Sequence, residues 1–358
     1  MIAKTGIDVF LELAQQHPVL DVRSPGEYAH AHIPGAYSMP LFTDEERKVV
    51  GTAYKQQSRE IAIKIGLDYF GSKMRRMVEE TESLLANSPP GNGNIPSKTV
   101  LVHCWRGGMR SAGVAWLLDL YGFKVYTLAG GYKAYRTWTL SQFIRPYPFQ
   151  ILGGFTGSGK TEVLYALRNS GAAVIDLEGL AHHKGSAFGG LGMPPKPSQE
   201  MFENSLALSL YNACKSTNPI WLEDESRRIG NLNIPEGIWK QMRASRLYFL
   251  EIPAESRLDY IVAEYGKFKK EELINAIVRV NKRLGGLATK QCINYLVEDN
   301  HKECFRILLS YYDKSYFKGM HERENLEELL VKIPAEQVNA KINAGMLTAF
   351  LQISTANL

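Results

Sequence analysis

The chain has 358 residues, enough for two domains with cores of their own, and its 45% hydrophobic and 22% charged content excludes a disordered or fibrous protein. A net charge of +5 permits an anionic partner such as nucleic acid without requiring one. Cys104, Cys214, Cys292 and Cys304 are widely spaced with no Cys-x-x-Cys pair, which argues against a zinc knuckle, a tightly bound metal or a disulfide framework. No leader-like segment opens the chain and no run approaches about eighteen apolar residues, so the expectation is a cytoplasmic protein without membrane contact.

In chain order, Ile7, Phe10, Leu11 and Ala14 give a short helical pattern within residues 7–17, and residues 18–23 read as a buried strand ending in charge. Ser24-Pro25-Gly26 turns the chain. A brief helix from Glu27 then runs into the Pro34-Gly35 turn before a further strand near Ser38 and Met39. Residues 41–98 look like a helical insertion, with Phe70, Met74, Met77, Val78, Leu84 and Leu85 at helix spacing. Its end, 88–96, reads as a flexible Pro/Gly-rich loop.

The apolar run Val100-Leu101-Val102 feeds His103-Cys104-Trp105-Arg106-Gly107-Gly108-Met109-Arg110-Ser111, after which 112–120 is apolar-periodic. A strand that gives way to a glycine-containing turn and then a helix can aim successive backbone N–H groups inward as an anion nest, to which the helix adds its positive end. Arg106 and Arg110 supply two charges beside Cys104, surroundings that favour thiolate. Cys104, Arg106 and Arg110 are therefore the candidate catalytic residues, with Trp105, Gly107, Gly108 and Ser111 shaping the loop. The spacing His-Cys, five residues, Arg also matches the cysteine-phosphatase signature. The loop alone specifies a thiolate facing an oxyanion and no single reaction.

A strand over 124–128 and the segment 129–135 close a first domain, placed at 1–140, and the proline-punctuated 141–148 reads as a linker. Phe149 to Gly153 is a strand leading into Gly154-Phe155-Thr156-Gly157-Ser158-Gly159-Lys160-Thr161, a full G-x-x-x-x-G-K-T phosphate loop followed by a helix. Gly154, Gly157, Ser158, Gly159, Lys160 and Thr161 are the diphosphate-binding candidates, and the Thr161 hydroxyl can ligate magnesium. Asp176 and Glu223, each first after an apolar run, are the candidate acids on the magnesium side. Residues 182–190 are Gly-rich and basic, which suits a mobile loop over an anionic substrate and makes Lys184 a candidate RNA contact. The adjacent His182 and His183 would rarely converge on one metal ion.

The P-loop domain is placed at 149–260 and a helical extension at 261–358, with Leu273, Ile277, Val280 and Leu284 at helix spacing. Arg279, Lys282 and Arg283 are candidate contacts to a phosphate backbone. From Ala335 onward the sequence carries little pattern.

Asp21-Val22-Arg23, Glu27-Tyr28, His32-Ile33-Pro34-Gly35-Ala36 and the cysteine loop together resemble the rhodanese domain, an α/β sandwich. Joined to the phosphate loop, Asp176-Leu177-Glu178-Gly179-Leu180 and 223–230, they resemble the family of tRNA 2-selenouridine synthases over nearly the whole chain. That resemblance implies an N-terminal rhodanese-like α/β domain followed by a P-loop NTPase-like α/β domain with a helical C-terminal extension. It implies action on the wobble 2-thiouridine of tRNA in two steps: alkylation of the sulfur with geranyl diphosphate, then displacement of the S-geranyl group by selenium from selenophosphate. Geranyl diphosphate and selenophosphate would be co-substrates, magnesium a candidate ion, and an enzyme supplying selenophosphate a candidate partner. Trp105 and Phe188 are candidates for stacking on the splayed base. A cysteine phosphatase regulated by a nucleotide-binding domain and a non-catalytic ATP-dependent RNA scaffold are the readings from other classes.

Overall fold

The computed structural model describes residues 2–87, 98–215 and 218–356, so the loop expected over 88–96 lies outside the described residues. The chain divides into two compact units, Met1–Ser141 and Gln142–Leu358.

The first unit runs β1 (Ile2–Thr5), α1 (Ile7–Leu13), β2 (Val19–Asp21), α2 (Pro25–His30), β3 (Tyr37–Ser38), α3 (Asp44–Gln56), α4 (Arg59–Gly71), α5 (Met74–Ala86), β4 (Thr99–His103), α6 (Met109–Leu120), β5 (Lys124–Leu128) and α7 (Gly131–Gln142). Its sheet is parallel throughout, in the order β1-β5-β4-β2-β3. β4 is central and buried along its whole length, which is why Val100-Leu101-Val102 shows no polar alternation. Asp21 pairs in register with His103, so the Asp-Val-Arg segment sits beside the end of β4, where the cysteine loop begins.

The insertion forms three helices, α3 to α5. Thr43 Oγ1 accepts the Glu46 N–H at 3.2 Å while Glu46 reaches back to the Thr43 N–H at 2.8 Å, a capping box that starts α3. Met77 and Val78 of α5 join Phe42, Phe70 and the sheet residues in one core. The edge strand β1 escapes a periodicity reading, because four partly exposed residues make neither a long apolar run nor a helical repeat.

The second unit runs β6 (Phe149–Gly154), α8 (Lys160–Asn169), β7 (Ala173–Val174), α9 (Leu177–Ala181), α10 (Gln199–Ala213), β8 (Ile220–Glu223), β9 (Arg228–Ile229), β10 (Leu232–Asn233), α11 (Glu236–Ala244), β11 (Leu247–Glu251), α12 (Ala254–Tyr265), α13 (Lys270–Leu284), α14 (Gly286–Val297), α15 (His301–His321), α16 (Leu326–Leu329), β12 (Leu330–Pro334) and α17 (Ala340–Ala356). Its main sheet is parallel, in the order β12-β11-β6-β8-β7. β6 lies between β11 and β8, so the phosphate loop leaves the middle of the sheet's carboxyl edge, the usual place for a ligand site in such sheets. Val163, Leu164 and Leu167 of α8 bury against Leu152, Trp221 and Tyr248.

The region expected as a helical extension is helical through α12 to α15, but it also returns a strand to the sheet. β12 pairs with β11 from Leu247 opposite Leu330 to Glu251 opposite Pro334, and α17 packs on α8. Only Ile333 of β12 is buried, which leaves the strand no readable pattern. Within the 141–148 segment, Tyr147 stacks on Phe149, its hydroxyl donates to Gln142 O, and its N–H donates to Gln241. Among the described residues no helix is long and apolar enough to cross a membrane.

Candidate functional site

Cys104 leaves β4 buried, 3% exposed, and α6 begins at Met109. Its Sγ lies 3.2 Å from Ser111 Oγ, whose single proton can go to the sulfur or to Gly108 O, 3.1 Å away. Burial alone would raise the thiol. The Ser111 hydroxyl, the Ser111 and Gly108 N–H groups and the charge of Arg110 outweigh it and hold the thiol below its ordinary value.

The loop is fastened from behind by the start of α7. Tyr132 N–H donates to Cys104 O at 2.8 Å and Lys133 N–H to Trp105 O at 3.0 Å, so these two loop carbonyls face α7. The packing is backbone on backbone: a Cβ on Gly131, where φ is +59°, would lie 2.3 Å from Cys104 O and 2.4 Å from Gly107 N. Gly107, at φ +64°, has the same reason to be glycine, since its Cβ would meet Leu128 O at 2.6 Å.

Around this loop, Arg106 is exposed, and Trp105 is 39% exposed with its ring 5.7 Å from that of Tyr132. Arg110 is half-buried and paired with Glu27 at 2.8 Å. Asp21 and Arg23 form a buried two-point pair, Arg23 Nε and NH2 donating at 2.9 and 2.6 Å, and Arg23 NH2 also donates to Ala31 O. That pair ties β2 to the segment before β3, so its role is to hold the frame. His103 is fully buried between Phe10 and Tyr132, and burial brings it down to about 4, so it is neutral.

In the second unit Gly154, Gly157 and Gly159 all take positive φ, and the loop wraps toward the start of α8. Lys160 Nζ donates to Gly154 O at 3.0 Å, and Thr161 Oγ1 donates to Glu178 Oε2 at 3.2 Å. Ser158 Oγ and Glu223 Oε2 are buried without a hydrogen-bond partner among the described residues. Asp176 lines the same cavity as Thr161, and its carboxylate caps α9 by accepting the Gly179 N–H at 2.7 Å and takes the Tyr165 hydroxyl at 2.5 Å. Glu223 accepts the Glu178 N–H at 2.8 Å. Burial raises Glu178, Glu223 and Glu225 together. Neighbouring carboxylates add to the rise at all three, and Lys160 opposes it at Glu178 and Glu225.

Contacts from distant sequence brace the phosphate loop. Arg257 donates to Thr156 O at 2.9 Å and pairs with Asp313 of α15. The Tyr316 hydroxyl accepts the Gly154 N–H and donates to Asp224 at 2.7 Å, and Asp224 is held from its other side by Arg323. The loop opens on a cavity of about 640 Å³ walled by Tyr165, Trp239, Tyr260, Tyr265 and Tyr312. Lys184 lines this cavity and pairs with Glu264 at 3.5 Å, whereas Arg279, Lys282 and Arg283 stand exposed on α13.

Within residues 182–190, Lys184 N–H donates to Gly189 O, and Ala187 N–H donates to the Tyr312 hydroxyl of α15. Phe188 is core, 4% exposed against Tyr265 and Phe305, so it is not available to stack on a base. Sequence reasoning did not single out Tyr316, Arg257 or Arg323, and it quoted Glu27, Glu178 and Asp224 without assigning their contacts. Among the described residues no group of three or more His, Cys, Asp or Glu side chains is arranged to hold a metal ion.

Residues 147–346 match the family described as tRNA 2-selenouridine synthase AAA domain, and residues 8–137 match the rhodanese-like domain. A tRNA 2-selenouridine synthase of Hydrogenovibrio crunogenus is 34% identical over 340 residues, covering 86% of this chain and 90% of that one. Another, of Marinobacter nauticus, is 33% identical over 93% of this chain and 96% of its own. A solved N-terminal domain from Clostridium difficile 630 is 37% identical, covers 38% of this chain and 99% of that chain, and gives a TM-score of 0.33.

Proposed function

Because the chain belongs to the tRNA 2-selenouridine synthase family, we propose that this tRNA-modifying enzyme converts wobble 2-thiouridine to 2-selenouridine through S-geranyl-2-thiouridine. Geranyl diphosphate is bound at the phosphate loop and selenophosphate at the cysteine loop. One observation supports this division above others: the chain carries two anion-shaped loops, one around an acidified thiol and one opening on a cavity walled by aromatic rings. The aromatic walls suit an apolar tail, and Lys160 with the loop N–H groups suits the diphosphate, whose growing charge they stabilise as it leaves. At the other loop, Arg106, Arg110 and the backbone N–H groups suit a phosphate-shaped anion, with the Cys104 thiolate as nucleophile toward phosphorus: the S–P bond forms as the Se–P bond breaks and selenide leaves to displace the S-geranyl group.

The oxygen donors at the phosphate loop fit a hard divalent cation. Thr161 and Glu178 would hold magnesium, and Glu223 orients Glu178 through its N–H. Bound there, the ion would offset diphosphate charge. With no three-carboxylate cage among the described residues, substrate oxygens would complete its shell. The relatives matched nearly end to end are named tRNA 2-selenouridine synthases, which favours a tRNA-modifying reaction over the phosphatase reading that the Cys104 spacing left open.

The test is mass analysis of nucleosides from thiolated tRNA incubated with pure protein, geranyl diphosphate and selenophosphate. Cys104→Ser should accumulate S-geranyl-2-thiouridine with little 2-selenouridine, and Lys160→Ala should accumulate neither. On pre-geranylated tRNA, Lys160→Ala should regain selenation and Cys104→Ser should not. A folded Cys104→Ser that no longer geranylates would overturn the division.

A further inference from the structure

The arginine at the end of the cysteine loop does not stand alone. Arg110 NH1 donates to Glu27 Oε2 at 2.8 Å, while its Nε and NH2 make no hydrogen bond to a described residue. Glu27 sits in the first turn of α2 and is itself held on two further sides. Arg47 Nε lies 2.9 Å from the same oxygen, and the Ser24 N–H donates to it at 3.1 Å. Burial would raise Glu27. The hydrogen bond and charge of Arg110, with help from Arg47 and the Ser24 N–H, bring it down to about 2, so it is fully ionised wherever the enzyme works.

The inserted helices complete the brace. Gly26 N–H donates to both carboxylate oxygens of Asp44 at 3.0 Å, which fixes the start of α2 against the start of α3. Arg47 lies one turn further along α3, and Glu46 pairs with Lys73 at the start of α5. A chain of contacts therefore runs from the insertion through Glu27 to the guanidinium whose charge acts on the Cys104 thiol. An arginine fixed in advance loses less rotamer freedom when an anion arrives.

We propose that Glu27 is a positioning residue for the anion at the cysteine loop, fixing the Arg110 guanidinium by one nitrogen so that its other N–H groups are set to receive selenophosphate. The inserted helices hold Glu27 in place for that task. The proposal rests on the reading that selenophosphate binds at this loop, and it concerns binding geometry rather than the chemical step.

The experiment uses the full chain with pre-geranylated tRNA and varied selenophosphate, and inorganic phosphate as a competing anion. Glu27→Ala should raise KM for selenophosphate roughly ten- to hundred-fold with kcat little changed. Phosphate should weaken as an inhibitor in parallel, while geranylation of thiolated tRNA stays at the parent rate. Glu27→Gln keeps an acceptor toward Ser24 and should show a smaller rise in the same direction. It carries the test should Glu27→Ala fail to fold. An unchanged KM in a folded variant overturns the proposal, as does a lowered KM in Glu27→Gln, which would mean that Glu27 only offsets charge. Cys104→Ser, run alongside, separates the two levels. If it still selenates, selenophosphate does not depend on this loop and both readings fall; if it does not, while the Glu27 variants keep the parent KM, only the positioning role falls.

Discussion

Gly131→Ala is a change of one methyl group, 27 residues beyond Cys104 in sequence, that should disable the cysteine loop. The new Cβ would sit 2.3 Å from Cys104 O and 2.4 Å from Gly107 N, against about 3.4 Å for ordinary contact, so one of the two backbones must move by about 1 Å. Alanine at φ +59° adds about 1 kcal/mol of strain. The movement also loosens two hydrogen bonds, from Tyr132 N–H to Cys104 O and from Lys133 N–H to Trp105 O, each worth about 1 kcal/mol. Together these should destabilise the first unit by about 3 to 4 kcal/mol. Shifted N–H groups would no longer support the thiolate, so alkylation of Cys104 by iodoacetamide near pH 6 should slow. Selenation of pre-geranylated tRNA should fall by about a hundredfold, and geranylation should continue. Urea unfolding, alkylation rate and nucleoside mass analysis read the three effects. An unfolding free energy within about 0.5 kcal/mol of the parent, with unchanged Cys104 reactivity, would refute the backbone-on-backbone packing described for this loop.

Two further outcomes follow from other residues. His103 is held down to about 4 against an ordinary 6.5, so between those values the unfolded chain binds more protons than the folded one. The stability it confers should be whole above about pH 6.5 and should be lost toward pH 4, by at most about 3 kcal/mol, with Glu27 adding its own loss only below its ordinary 4.5. Urea midpoints between pH 7 and 4.5 should show this, and a folded His103→Gln with the same acid limb would assign the loss to other groups. Replacing Arg279, Lys282 and Arg283 together by alanine should flatten the log–log salt dependence of tRNA affinity by roughly 2 to 3, and an unchanged slope would make that face of α13 merely solvated.

Both loops were legible because their chemistry is local. A glycine that permits an inward N–H, a charged residue and a helix start lie within a few residues of each other, and strand, loop and helix follow from that order. What stayed illegible depends on partners remote in sequence. Glu27 meets Arg110 across 83 residues and Tyr316 meets Gly154 across 162, separations that no spacing rule covers. The bond from Thr161 to Glu178 went unread for a subtler reason: Asp176 and Glu178 stand two residues apart after one strand, and spacing alone does not say which of them caps α9 and which takes the hydroxyl. Phe188 sits in a basic, Gly-rich stretch that looks like an exposed loop, yet its ring fills a core supplied by α12 and α15. β12 went unread because a parallel edge strand with one buried residue takes its identity from its neighbour.

The pairing of β12 with β11 fixes the order in which this protein can become complete on the ribosome. Every strand of the first sheet has been made once Leu128 is synthesised and α7, which fastens the cysteine loop, follows directly, so that loop can form while the second unit is still emerging. The second sheet has to wait. Its strand β11 ends at Glu251, but its edge partner starts at Leu330, with α12 to α16 made in between. Closing so long a gap carries a loop-closure cost and slows folding, and for that interval a nascent chain exposes the unpaired side of β11 to any other strand. A translation pause or truncation before residue 334 should therefore yield a folded first unit joined to an aggregation-prone second, with losses of protein concentrated in the phosphate-loop half.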